Sequence, residues 1–169
     1  MADGTNTIIR NMIADYLNVS KTAAPRYVLM GKGFNTLNEN PAAQIDTKAY
    51  ISDKAATSII KGYNTQFPFD TDLIESEEAV MALYDVGRNQ LQGGSAEFDY
   101  VRVDLFRQMS PAVADTHPAR LFKVAVEVSG ITGAGAEVIH VAGNLNNVGD
   151  FTEGQFNIET KTFTPAVTP

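Results

Sequence analysis

The chain has 169 residues, 44% of them hydrophobic and 20% charged, enough for one domain with a core of its own. Thirteen Lys and Arg against twenty Asp and Glu give a formal charge of −7, which argues against nucleic acid as a bound ligand, since Lys and Arg carry phosphate binding. Cysteine is absent, which excludes disulfides, thiolate metal sites and thiol nucleophiles, and no run approaches the ~20 apolar residues of a membrane-spanning helix.

In chain order, the opening "MADGTNTIIRNM" has no basic region followed by an apolar core, so no secretory signal is expected. "TIIRNMIADYLN" (7–18) sets Ile8, Ile9, Met12, Ile13, Tyr16 and Leu17 at helical spacing and predicts a short amphipathic helix. "RYVLMG" (26–31) reads as a strand. "GKG" (31–33) follows it but lacks the spacing of a phosphate loop, and reads as a turn. Lys32 to Ala49 is polar and Asn-rich with Pro41, and reads as an extended loop. "YIS" and "TSIIKGY" (57–63) return to β character.

Tyr63 to Glu78, "YNTQFPFDTDLIESEE", raises two possibilities at once. Asp70-Thr71-Asp72 has the form of a carboxylate pair for a hard cation. The acids after it also suit the start of a helix, with Ser76 as the expected N-cap and Glu77 and Glu78 in the first turn; Asp72 with Glu75 would make an alternative capping box. Capping is the simpler explanation of these carboxylates. Phe67 and Phe69 either tuck into the chain's own core or fill a pocket on a neighbouring subunit. The helix itself is carried by Ala79, Val80, Leu83, Tyr84 and Val86, and "QGG" (92–94) stops it.

The second half is strongly β, with strands expected at 96–106, 120–130, 137–145 and 154–163. In the second of these Phe122, Val124, Val126 and Val128 share one face, opposite Lys123, Ala125, Glu127 and Ser129. His117 and His140 lie in a turn and a strand, and neither sits in a nucleophile elbow. The fold class expected from these elements is mainly β with one prominent helix, arranged as an antiparallel β-sandwich or open barrel. The residues alone point to an acidic, non-enzymatic assembly or binding domain with no cofactor; a carboxylate-based metal enzyme at Asp70 and Asp72 is the minority reading.

Several motifs together also resemble a known family. "RNMIADYLNV" (10–19), "LMGKGFNTLNENPAAQIDTKAYISDKAA" (29–56), "GYNTQFPFDTDLI" (62–74), "LYDVGR" (83–88) and "AEFDYVRVDLF" (96–106) occur in an order similar to that of the major tail tube proteins of long-tailed bacteriophages. The resemblance implies a single tail tube domain over 1–169, with a long inter-subunit assembly loop at about 32–75. It implies hexameric rings stacked into a hollow tube that conducts DNA, lined by a continuous β-barrel and located in the virion after assembly in the host cytoplasm. The partners it implies are further copies of the chain, a tape-measure protein, a tail terminator and distal tail proteins, with DNA only in transit and no membrane binding. Carried onto this sequence, the assembly positions are Phe34, Asn40, Pro41, Tyr50, Asp53, Tyr63, Phe67, Phe69, Asp70 and Asp72. Glu127 and Glu159, expected on long strands, are the candidates for an acidic lumen wall. The inner tube of a contractile tail, or of a tail-derived bacteriocin or injection device, fits the same resemblance.

Overall fold

The computed structural model describes residues 6–167; the first five residues, on which the expectation of no secretory signal partly depends, lie outside them. Eleven strands and one α-helix follow each other in the described chain. The first strands are β1 (Ile13–Asn18), β2 (Tyr27–Leu29), β3 (Phe34–Leu37), β4 (Ala43–Lys48), β5 (Thr57–Tyr63) and β6 (Gln66–Asp72). The helix α1 (Glu78–Arg88) separates them from β7 (Glu97–Asp104), β8 (Thr116–Thr132), β9 (His140–Asn147), β10 (Thr152–Asn157) and β11 (Thr162–Pro165).

Nine strands form one antiparallel sheet with the path β2-β1-β7-β8-β9-β6-β3. The 17-residue β8 changes partners along one edge: Thr116–Leu121 pairs with β10, and Val124–Thr132 pairs with β9. β10 carries β11 on its far side. The sheet curls until residues from its two ends share one core, in which Leu17 of β1 joins Leu37 of β3, Phe67 and Phe69 of β6, and Leu83 and Val86 of α1. A second cluster on the other side of β1 and β7 packs Tyr16, Tyr27, Val101 and Val103 around Phe156 of β10. The fold is therefore mainly β with one prominent helix, as the sequence led us to expect.

The helix expected at 7–18 is not formed. Arg10–Met12 make one 3-10 turn, and residues 13–18 are β1. Consecutive residues Asp15 to Asn18 are all buried, because both faces of β1 are covered. That double burial gave Tyr16 and Leu17 adjacent apolar identities, which imitate a helical stripe. Ile8 and Ile9, which completed the stripe, are exposed.

Three other expectations change in detail. Lys32 to Ala49 is not an extended loop; it contains β3 and β4, and Gly33, at φ +93°, makes the turn out of "GKG" into β3. The strand expected at 154–163 is cut in two by a turn through Lys161, whose φ is +54°. The N-cap of α1 is Glu77 rather than Ser76, and no side chain bonds to its free N–H groups; Asp72 ends β6 instead of capping. The helix is held by its buried face of Ala79, Val80, Leu83 and Val86.

Candidate assembly site

β4 and β5 form a two-stranded sheet of their own, an arm that does not pack as an element on the main sheet. Its sequence dictates the hairpin: Thr57, Ile59, Ile60 and Tyr63 are β-branched or aromatic, and the register runs from Ala43 opposite Tyr63 to Lys48 opposite Thr57. Residues opposite each other share a face, so Ile45 and Ile60 lie together beside Thr47 and Ser58, whose hydroxyls are 3.1 Å apart. The other face carries Asp46, Ile59 and Lys48, with an ion pair of 2.9 Å between Asp46 and Lys61. Ile45, Ile59 and Ile60 are 65%, 57% and 58% exposed. A lone two-stranded hairpin is marginal in water. Burying each isoleucine against a partner offers ~1.5–3 kcal/mol, so the arm has much to gain from being covered.

The arm continues the β3–β6 ribbon. Asn38 N–H donates to the Pro68 carbonyl at 3.0 Å, Asn40 and Gln66 exchange backbone bonds of 2.8 and 2.9 Å, and Asn64 N–H donates to the Ala42 carbonyl at 3.1 Å. Beyond the last pair of the β6–β9 ladder, Gln66 opposite Asn146, two ties cross from this root to other strands. On the β5 side Asn147 N–H donates to the Thr65 carbonyl at 3.0 Å. On the β4 side Glu39 accepts a two-point fork from Arg120, Nη1 to Oε1 at 2.7 Å and Nη2 to Oε2 at 2.9 Å, and meets Arg102 Nε at 3.2 Å.

This clamp belongs to a longer polar chain. Asp15, 2% exposed, accepts from the Tyr100 hydroxyl, from Arg102 at 3.2 Å and from Arg10 at 2.5 Å; Arg10 also reaches the Leu37 carbonyl at 3.2 Å. The Arg120 guanidinium lies 5.3 Å from the Phe122 ring centre and 5.7 Å from that of Phe151. Burial pushes the Glu39 carboxyl up, but the hydrogen bond and charge of Arg120 and the charge of Arg102 outweigh it, so its pKa lies below the usual value. Burial pushes the Tyr100 phenol well up, and the charge of Asp15 adds to that.

The structure distributes the residues expected at this site unevenly. Tyr50 and Asp53 lie in the arm's turn, where Tyr50 N–H donates to Asp53 Oδ2 at 2.8 Å. Tyr63 ends β5, exposed, and Asn40 and Pro41 are exposed at the arm's root. Phe34, on β3, is half-buried against the core. Asp70 and Asp72 sit together on the outer face of β6, where His140 Nδ1 is 3.6 Å from Asp70 Oδ1 and 3.0 Å from Asp72 Oδ1, and Asn35 donates to Asp72 Oδ1 at 2.8 Å. Glu127 is exposed on β8 and accepts from Asn146 at 3.3 Å. Glu159 is not on a strand; it lies in the turn between β10 and β11.

Phe67 and Phe69 take the inward alternative, which removes them as anchors for a neighbour. They are 0% and 3% exposed, and the Phe67 ring lies 4.7 Å from Tyr100 and 4.9 Å from Phe122, edge to face with both. A ring with no free surface has nothing to offer another chain. Sequence reasoning overlooked Ile45, Ile59 and Ile60 as contact residues, although the β-branched run "TSIIKGY" marked their strand. It also overlooked Glu39, for which nothing local signalled two arginines more than sixty residues away.

No protein-family model and no curated protein matches the sequence. Among solved structures, the chain is similar to one in the sheath-tube complex of PVC, an extracellular contractile injection system, in its extended state. The TM-score is 0.52 at 7% identity, over 92% of this chain and 95% of that one. A chain of the anti-feeding prophage baseplate gives a TM-score of 0.49 at 7% identity, over 88% and 96% of the two chains. At this identity the likeness is one of fold: the mainly β fold of this chain is similar to that of a chain in a contractile injection sheath-tube complex.

Proposed function

We propose that this protein is a structural protomer of a phage-type tail tube, in which copies join into hexameric rings and the rings stack into a hollow tube that conducts DNA. The observation that carries the reading is the β4–β5 arm, an apolar hairpin without a strand partner among the described residues, borne on a fold shared with a chain of a sheath-tube complex. Charge supports a second copy as the occupant of the arm's surface. Three lysines and two aspartates make residues 43–63 net +1, so of the chain's −7 the remaining residues carry −8. An arm of opposite sign to the body it would land on is steered towards it.

In this reading Tyr50, Asp53 and Tyr63 contact the neighbour together with Ile45 and Ile60, while Asn40 and Pro41 shape the arm's exit. The outer face of β6, β8 and β9, which presents Asp70, Asp72, Glu127, Asn144 and Asn146, is the proposed lumen wall. Its carboxylates would repel phosphate and let DNA pass without holding it. Tape-measure, terminator and distal tail proteins would be the further partners, and the assembled particle the location.

A second reading, the inner tube of a contractile tail or injection device, is favoured by the likeness to a sheath-tube complex. Negative-stain electron microscopy of the purified protein at high concentration tests both. Hollow tubes or six-fold rings are expected, and a monomer that persists under all conditions would sink both readings. A sheath-protein gene beside this one would favour the contractile form.

A further inference from the structure

We propose that Glu39 is the positioning residue that aims the assembly arm, a proposal that builds on the reading of the arm as the contact between copies. The backbone bonds at the arm's root run along a single ribbon, joining Asn38 to Pro68, Asn40 to Gln66 and Asn64 to Ala42. Such bonds hold the two strands to each other; the ladder that joins the ribbon to the sheet runs along β6 and ends at Gln66 opposite Asn146, and beyond it they leave the ribbon free to bend. Direction therefore depends on ties that leave the ribbon. On the β5 side that tie is the bond from Asn147 to Thr65, and on the β4 side it is the Glu39 carboxylate on β7 and β8. Two ties on opposite sides fix an exit angle; one alone leaves a hinge.

The chemistry of the Glu39 tie suits this work. Two parallel N–H···O bonds from one planar guanidinium fix the carboxylate in rotation as well as in distance, which a lysine ammonium does not do. The arginines are themselves held. Arg120 lies against the rings of Phe122 and Phe151, and Arg102 is bonded to Asp15 and to the Tyr100 hydroxyl. The clamp thus transmits the orientation of β7 and β8 to the first residues of the arm, and so sets where Ile45 and Ile60 arrive on a neighbouring copy.

The chain contains no cysteine, so nitroxide labels can be introduced cleanly at Lys54→Cys in the arm's turn and Asp85→Cys on the exposed side of α1. Double electron–electron resonance, with labelled protein diluted into unlabelled protein, is expected to give one narrow distance peak. Glu39→Gln and Arg120→Lys are each expected to lose that peak while keeping the folded circular dichroism spectrum. Arg120→Lys, which keeps the charge and removes only the fork, decides the matter if Glu39→Gln does not fold. A broad distribution in the parent, or a narrow peak retained in Arg120→Lys, overturns the proposal. Tube growth is read separately by electron microscopy. Tubes from Glu39→Gln as abundant as the parent's also overturn the proposal, whereas a parent that never forms tubes defeats the assembly reading and leaves the distance result to judge the clamp.

Discussion

Gly143 on β9 lies against the backbone of β8 so closely that a Cβ on it would sit 1.9 Å from the Glu127 carbonyl oxygen. The contact falls at the bulge in β8 between Val128 and Gly130, where the register of the two strands shifts. Because the obstructing atom belongs to backbone, no side chain can swing away. Gly143→Ala is expected to destabilise the protein by about 3 kcal/mol or more, the upper end of what overpacking costs. A thermal melt checks this, and an unchanged melting temperature would show that β8 and β9 can separate locally.

Phe67→Ala is expected to act on the fold of the monomer. The ring is fully buried between Tyr100 and Phe122, and truncating such a residue costs ~3–5 kcal/mol. Urea unfolding followed by circular dichroism should show a lower midpoint. A variant of parental stability that fails only in tube growth would return Phe67 to the role of a contact residue.

The arm should behave in the opposite way. Ile45→Ser with Ile60→Ser removes two exposed side chains that touch no core, so monomer stability is expected to stay within about 0.5 kcal/mol of the parent. Tube growth is expected to be lost. Retained tubes would show that the arm's apolar face is not where copies meet.

Acid should loosen the Glu39 clamp. Its pKa in the folded protein lies below the ordinary 4.5, so folding favours the ionised form. The contribution is fully present above pH 4.5 and is lost as the pH falls through the folded-state value. Melting temperatures of the parent and Glu39→Gln, measured against pH, should differ by a constant amount near neutrality and converge below 4.5. A gap that stays constant throughout the acid range would mean that the carboxylate's charge is not what the variant loses.

Strand character was legible where residue types and alternation agree. "TSIIKGY" is β5 with the bounds its β-branched run marked, and the apolar face Phe122, Val124, Val126 is the face of β8 that enters the core. The helix α1 was legible from its apolar spacing. β1 was misread because covering both faces of a strand erases its alternation.

The sequence by itself determined the mainly β class, the helix α1, the acidic balance and the absence of thiol chemistry, since these follow from residue type and short-range spacing. Only the tertiary structure decided that Phe67 and Phe69 are interior and that Ile45 and Ile60 are exposed. Period-two alternation says which side chains share a face, and not whether anything covers it. Tertiary structure likewise brought Glu39 to Arg102 and Arg120. Ion pairing between distant strands leaves no local mark, because it depends on where a curled sheet returns to itself.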